Sequence, residues 1–285
     1  MLFRSPNSVG KVYMYLGTKT NSGTDIEKAG LTNGTKYAVK VAGVGLENRA
    51  NALGSSSPTF SGTFTLDTVA SGTSFLRPED GTWDPNNPND YYFATTDRLD
   101  TQDAGGAQVG NSRLWKLHFN DLSNPTAGGT IEAVLKGIGS NGNDTNQPNM
   151  IDNITFGKDG NLILLEDPGN AAHNARLYSY NPKTKRLKQI ARHDVSRFGT
   201  VGTPASLPFT VDEESSGVID VTDILGYQSW LFVTQAHYAI PGYAVEGGQL
   251  MVLKAIPEPS SLALASCGLA ALGLVALRNR RKTVR

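Results

Sequence analysis

Cysteine is almost absent from this 285-residue chain: the one copy, Cys267, lies in an apolar stretch near the C-terminus. An intrachain disulfide, a CxxC redox pair and a zinc site built on thiolates are therefore excluded. Excess positive charge is missing as well. Up to Ile256 the chain carries 21 basic and 25 acidic residues, because Arg278, Arg280, Arg281, Lys282 and Arg285 all fall at its end. A body of charge −4 presents no basic face to nucleic-acid phosphates, which excludes DNA and RNA as partners. A divalent cation suits it better. No long amphipathic helical pattern is evident, and no GxSxG places a serine nucleophile on a strand-to-helix elbow.

What the chain has is a 39% apolar content, 31 glycines, ten Tyr and ten Phe, with many Asn, Thr and Ser. That mixture favours strands joined by tight turns, so the expected class is all-β. Candidate strands fall at 11–16, 36–42, 63–69, 91–96, 113–119, 130–135, 151–156, 162–165, 176–180, 187–191, 229–233 and 249–253. Turn clusters such as GKDGN, NPKTK and DPNNPND separate them. Hairpins at this spacing suggest the inner and outer strands of β-propeller blades, and about forty residues per blade gives about five or six of them. No clean sequence repeat supports that count. The polar stretches 104–111 and 139–149 read as surface loops, and GIGSNG at 137–142 matches GxGxxG by letter only. No helix pattern follows it to meet a pyrophosphate.

Acids gather at the edges of the candidate strands. Leu162–Leu165 runs directly into Glu166 and Asp167, and burying an ionised carboxylate is strongly unfavourable unless a cation or water answers it. Glu79 and Asp80 stand in FLRPEDGTWDP, Asp97 closes YYFATTD, Asp152 opens DNITF, and Asp212, Glu213 and Glu214 lead into Asp220 and Asp223. Carboxylates in this number, with Asn and carbonyl oxygens near, match the hard ligands that calcium takes. Acids are also common in turns, so each pair taken singly has that simpler explanation.

The C-terminus reads IPEPSSLALASCGLAALGLVALRNRRKTVR. Residues 262–277 form an uncharged run of 16, about 24 Å as a helix against a hydrocarbon core of about 30 Å. A basic cluster follows at once and would stay cytoplasmic, leaving the body outside. The order Pro257-Glu258-Pro259, apolar span, basic stop resembles the PEP-CTERM sorting signal. That resemblance implies export, recognition by an exosortase-type enzyme, transient anchoring in the inner membrane, and a destination at the cell surface or in the extracellular matrix. The expected domains are 1–255, a propeller region, and 256–285, the sorting segment with one transmembrane helix. MLFRSPNSVGKVYMYLG has no apolar signal core, which leads us to expect a chain whose true beginning lies upstream.

FLRPEDGTWDPNNPNDYYFATTD, RLWKL, DNITFGKDGNLILLED and DEESSGVIDV, in that order, resemble the C-terminal half of the PhoX-type alkaline phosphatases and related secreted propellers. The resemblance covers about residues 72–233. It implies calcium and iron held by carboxylates in a central channel, and hydrolysis of phosphate monoesters. Carried onto this chain, the metal-binding positions are Glu79, Asp80, Glu166, Asp167 and Glu214, with Arg77 as a charge-assisted contact to phosphate. The family's iron-site cysteine comes from the preceding half, and this body has none. Of the four histidines, His118, His173, His193 and His237, none shows paired metal-site spacing, though His173 and His237 are placed to face such a channel. The expectation is an exported, calcium-binding propeller that hydrolyses phosphate esters; the alternative is a noncatalytic surface or matrix protein with structural calcium.

Overall fold

The computed structural model describes residues 9–47, 60–96, 112–136, 148–168, 173–243 and 246–255. It is all-β, and helices among these residues are single turns. Met1–Leu253 make one compact unit and Lys254–Arg285 a second. A curled, half-barrel sheet contains β2 (Tyr13–Leu16), β3 (Thr35–Val41), β4 (Ser61–Asp67), β6 (Pro78–Trp83), β7 (Asp90–Thr95), β8 (Arg113–Phe119) and β9 (Gly129–Lys136). Its order is β2-β3-β4-β9-β8-β7-β6. A four-stranded meander follows in chain order: β10 (Ile151–Phe156), β11 (Leu162–Glu166), β12 (Arg176–Asn181) and β13 (Arg186–Arg192). Then come β14 (Glu214–Asp220), β15 (Ser229–Ala239) and β16 (Glu246–Lys254), while β1 (Val9–Gly10) pairs with β5 (Phe75–Leu76).

Each of the twelve expected strand segments overlaps a strand. The sequence patterns did not place β1, β5, β6 and β14. β6 opens on Pro78 and carries two acids, and β14 opens on Glu214, so both read as turns. Proline is tolerated at the first residue of a strand, where its absent N–H breaks no ladder. Separate four-stranded blades were the other expectation, and β6 to β9 do form a meander in chain order. Its outer strand β9, however, pairs on with β4, fusing it into the larger sheet. Among the described residues no helix is long and apolar enough to cross a membrane. The apolar run 262–277 lies outside those residues, as do Cys267, Asp97 and the glycine-rich 137–142.

The period-two alternation of β7 and β8 feeds two cores. Phe93, Trp115, Leu117 and Phe119 pack with Val39, Phe64, Phe75 and Ile131 on one face. On the other, Tyr92, Ala94 and Leu114 pack with Ile154, Leu162, Leu164, Tyr178 and Tyr180 from the second meander. The two strands are thus a shared wall, and opposite pleat faces of each strand serve different cores.

The two meanders repeat one another in detail that the sequence hides. Arg77 and Met150, the residues preceding β6 and β10, both have left-handed backbone (φ 47° and 52°). Each offers its carbonyl to an N–H just past the second strand: Thr96 N to Arg77 O at 3.1 Å, Asp167 N to Met150 O at 2.8 Å. Each third strand opens Arg-Leu-aromatic, as Arg113-Leu114-Trp115 and Arg176-Leu177-Tyr178. In each, the register with the fourth strand shifts after the leucine, the extra residue lying on β9 and on β13.

The junction of β9 with β4 depends on Gly128, at φ 69°. A Cβ there would stand 1.9 Å from the Phe64 carbonyl oxygen, against backbone that cannot rotate away. Gly128→Ala is expected to cost more than about 1 kcal/mol in urea denaturation, since both the left-handed backbone and the close approach oppose a side chain. A midpoint unchanged from the parent would contradict this.

Candidate functional site

The strand that ends in two acids is answered from within the chain. Glu166 is fully buried, and its oxygens take four N–H donors. Oε1 accepts from Asn149 N at 2.7 Å and Arg176 Nη2 at 2.9 Å. Oε2 accepts from Arg176 N at 3.0 Å and Arg176 Nε at 2.9 Å, with His173 Nε2 at 3.2 Å. Such a bidentate, charge-assisted pair satisfies a buried carboxylate and fixes its orientation. It follows from register: Leu165 faces Leu177, so one step on Glu166 faces Arg176.

Asp167 turns the other way, toward the start of β6. Arg77 is buried, its Nε donates to Glu79 Oε1 at 3.2 Å, and its Nη2 lies 3.8 Å from Asp167 Oδ2. Thr96 Oγ1 is within hydrogen-bond distance of both the Arg77 carbonyl (3.3 Å) and Glu79 Oε1 (3.2 Å). One guanidinium therefore joins acids from the ends of two neighbouring meanders. Asp212 adds negative charge close by. Burial pushes its carboxyl above the usual range; His237 opposes that, and the nearby Asp167 and Glu213 carboxylates add to it.

The other predicted acids have different duties. Asp80 Oδ1 accepts Gly81 N at 2.8 Å and its Oδ2 accepts Ile154 N at 3.0 Å, tying β6 to β10. Burial pushes that carboxyl upward, against these two amides. Glu214 is buried at the start of β14, opposite Gln235. Its neighbour Glu213, fully buried, accepts from Thr210 N at 3.0 Å and from His237 N. The structure thus brings Arg77, Glu79 and Asp167 together and leaves Asp80 and Glu166 bonded elsewhere. Among the described residues no three His, Cys, Asp or Glu side chains stand where they could hold a metal ion.

Residues 255–282 match the PEP-CTERM protein-sorting motif. The match includes Pro257, Glu258 and Pro259 and marks an exported, surface-sorted protein that exosortase recognises. The chain is also similar in structure to PhoX of Pseudomonas fluorescens, solved in complex with vanadate, a transition state analogue. The TM-score is 0.51 at 14% sequence identity, over 82% of this chain and 47% of that one. The likeness is one of fold, and this chain spans about half the length of that protein. No curated protein sequence is significantly similar to it.

Sequence patterns alone do not reveal a second buried carboxylate beside the Arg77 cluster. Glu47 is fully buried; its Oε2 accepts Leu76 N at 2.9 Å, and its Oε1 lies 3.3 Å from both Thr95 Oγ1 and Arg113 Nη1. Burial pushes its carboxyl up to about 7, with Arg113 opposing. The Arg-Leu-aromatic repeat was a usable signal for Arg113 and Arg176; nothing in GLEN singled out Glu47. The histidines are scattered. His118 Nδ1 meets Asp90 at 2.6 Å, His237 Nδ1 meets Glu246 at 3.3 Å, and His193 Nε2 meets Ser215 Oγ at 2.8 Å. Burial holds His193 down to about 4, so it is neutral at pH 7.

Proposed function

We propose that this exported, surface-sorted protein is a β-propeller whose Arg77 cluster binds phosphate monoesters and, with a divalent cation, hydrolyses them. The observation that carries the reading is the buried Arg77 guanidinium set between Glu79 and Asp167, a donor fork suited to phosphate oxygens with carboxylates on either side. The fold likeness to PhoX supports the same reading. Propeller geometry is supported by lateral ties between first strands: Ile154 N to Asp80 Oδ2, and Gly217 N to Asn153 Oδ1 at 2.9 Å. In this reading β6, β10 and β14 line the central channel, and 256–285 is the separate sorting segment with its span at 262–277.

Glu79 and Asp167 are oxygen donors of the kind a hard cation such as calcium takes, and Asp212 lies close to Asp167, although the three do not form a ready-made cluster. The two carboxylates supply only part of a coordination shell, and hard cations commonly complete theirs with water and substrate phosphate oxygens. A cation held by Glu79 and Asp167 would offset negative charge on the phosphoryl group. Arg77 orients the same oxygens, while Glu79, itself bonded by Thr96, holds the guanidinium in place. A noncatalytic surface role is the second reading. It is favoured by the bonding of Glu166 to Arg176, which leaves that carboxylate committed to the fold.

Arg77→Ala is expected to lower hydrolysis of p-nitrophenyl phosphate, assayed with added calcium, by about 10²-fold, the usual loss for one oxyanion donor. Vanadate inhibition should weaken in parallel. Parent protein without activity in calcium or iron, still folded by circular dichroism, would leave the noncatalytic role.

A further inference from the structure

We propose that Glu47 is a positioning residue for Arg77, doing in the first meander what Glu166 does in the second. The two carboxylates occupy matching places. Each accepts the N–H of the residue preceding the left-handed position: Leu76 before Arg77 at 2.9 Å, Asn149 before Met150 at 2.7 Å. Each pairs with the arginine that opens the third strand, Arg113 at 3.3 Å and Arg176 at 2.9 Å. Both are fully buried.

The difference lies in where the carboxylate comes from. Glu166 ends its own second strand. In the first meander the position facing the third-strand arginine is Thr95, opposite Arg113. Threonine is too short to reach the amide before the left-handed residue, and its hydroxyl instead donates to Glu47, delivered from 48 residues earlier. Glu47 therefore grips the chain on both sides of the candidate site. Through Leu76 it holds the peptide leading into Arg77. Through Thr95 it holds the residue before Thr96, which bonds the Arg77 carbonyl and Glu79. It touches no ligand itself and acts by fixing where the guanidinium sits.

The charged group facing Glu47 is Arg113, and burial brings the Glu47 carboxyl to about 7. A carboxyl raised by burial is one whose neutral form the fold favours, so the clasp gains stability as pH falls from above about 7, although its charge pairing with Arg113 weakens.

This inference rests on the phosphate-binding reading for its ligand readout, but not for its structural one. Sulfate, which keeps its charge across neutral pH, serves as the probe for the full chain by calorimetry. In Glu47→Gln sulfate affinity should be about tenfold weaker than in the parent at pH 8, the weight of one charged hydrogen bond. Hydrogen exchange read by mass spectrometry supplies the second measurement. Glu47→Gln should speed exchange at 75–79 and 95–96 while 151–166, held by Glu166, keeps its protection. Protection lost everywhere would mean that Glu47 holds the whole body, and would overturn a local positioning role. Unchanged exchange at 75–79 would overturn it too. Faster local exchange in a protein that binds no sulfate would retain the role of Glu47 and remove phosphate as the ligand.

Discussion

Glu166→Ala is expected to destabilise the protein by about 3–5 kcal/mol in urea denaturation. The substitution removes the acceptor for Asn149 N, Arg176 N and both donating guanidinium nitrogens of Arg176 at once. It strands an arginine that is almost wholly buried. Domains of this kind hold together by only about 5–15 kcal/mol in total, so the loss is a large part of what there is. The paired replacement Glu166→Leu with Arg176→Met should recover most of it, because no charge is then left unanswered. Elemental analysis of the same samples separates the two cations that a carboxylate at this strand end could face. Loss of a stoichiometric metal in Glu166→Ala, with little loss of stability, would show that the carboxylate serves an ion rather than Arg176.

Trp115→Ala should cost about 3–5 kcal/mol by the same measurement, for a different reason. Trp115 is completely buried, stacked 6.2 Å from Phe93 and edge-on to Phe75 and Phe60 at 6.1 Å each. Deleting the indole leaves a cavity among rigid rings and strand backbone that cannot close around it. The indole also donates from Nε1 to Thr95 Oγ1 at 3.1 Å, and that hydroxyl in turn donates to Glu47. Trp115→Phe, which keeps most of the packing but not the donor, should cost roughly 1–2 kcal/mol. A loss below about 1 kcal/mol in the alanine variant would mean that the wall between the two cores is loosely packed.

Much of the architecture was open to reading because the signals are local. Strand alternation and turn residues placed twelve segments, each within one stretch of backbone. Besides the two-residue strands β1 and β5, what escaped were β6 and β14, whose proline and acids are turn-like in isolation and become strands only when a neighbour offers a ladder. The fusion of β9 to β4 escaped for a related reason: pairing between strands some 70 residues apart leaves no mark on either sequence.

The candidate site divides the same way. The apolar run into Glu166 and Asp167 required that charge be answered at that strand end, which burial physics alone demands. Which group answers was not legible. Arg176 reaches Glu166 because register sets them opposite, and Asp167, one residue on, turns to Arg77 in the neighbouring meander. Glu47 is the clearest case, since it fills in space the place that Glu166 fills in sequence.

By itself, then, the sequence determined the all-β class, the acidic body and the sorting address, because composition, period-two patterning and a contiguous motif act over short range. The tertiary structure alone decided which carboxylates meet Arg77 and which are bound into the fold. A charge is stabilised by whatever lies within a few ångströms of it, and that neighbourhood is assembled from strands far apart in the chain.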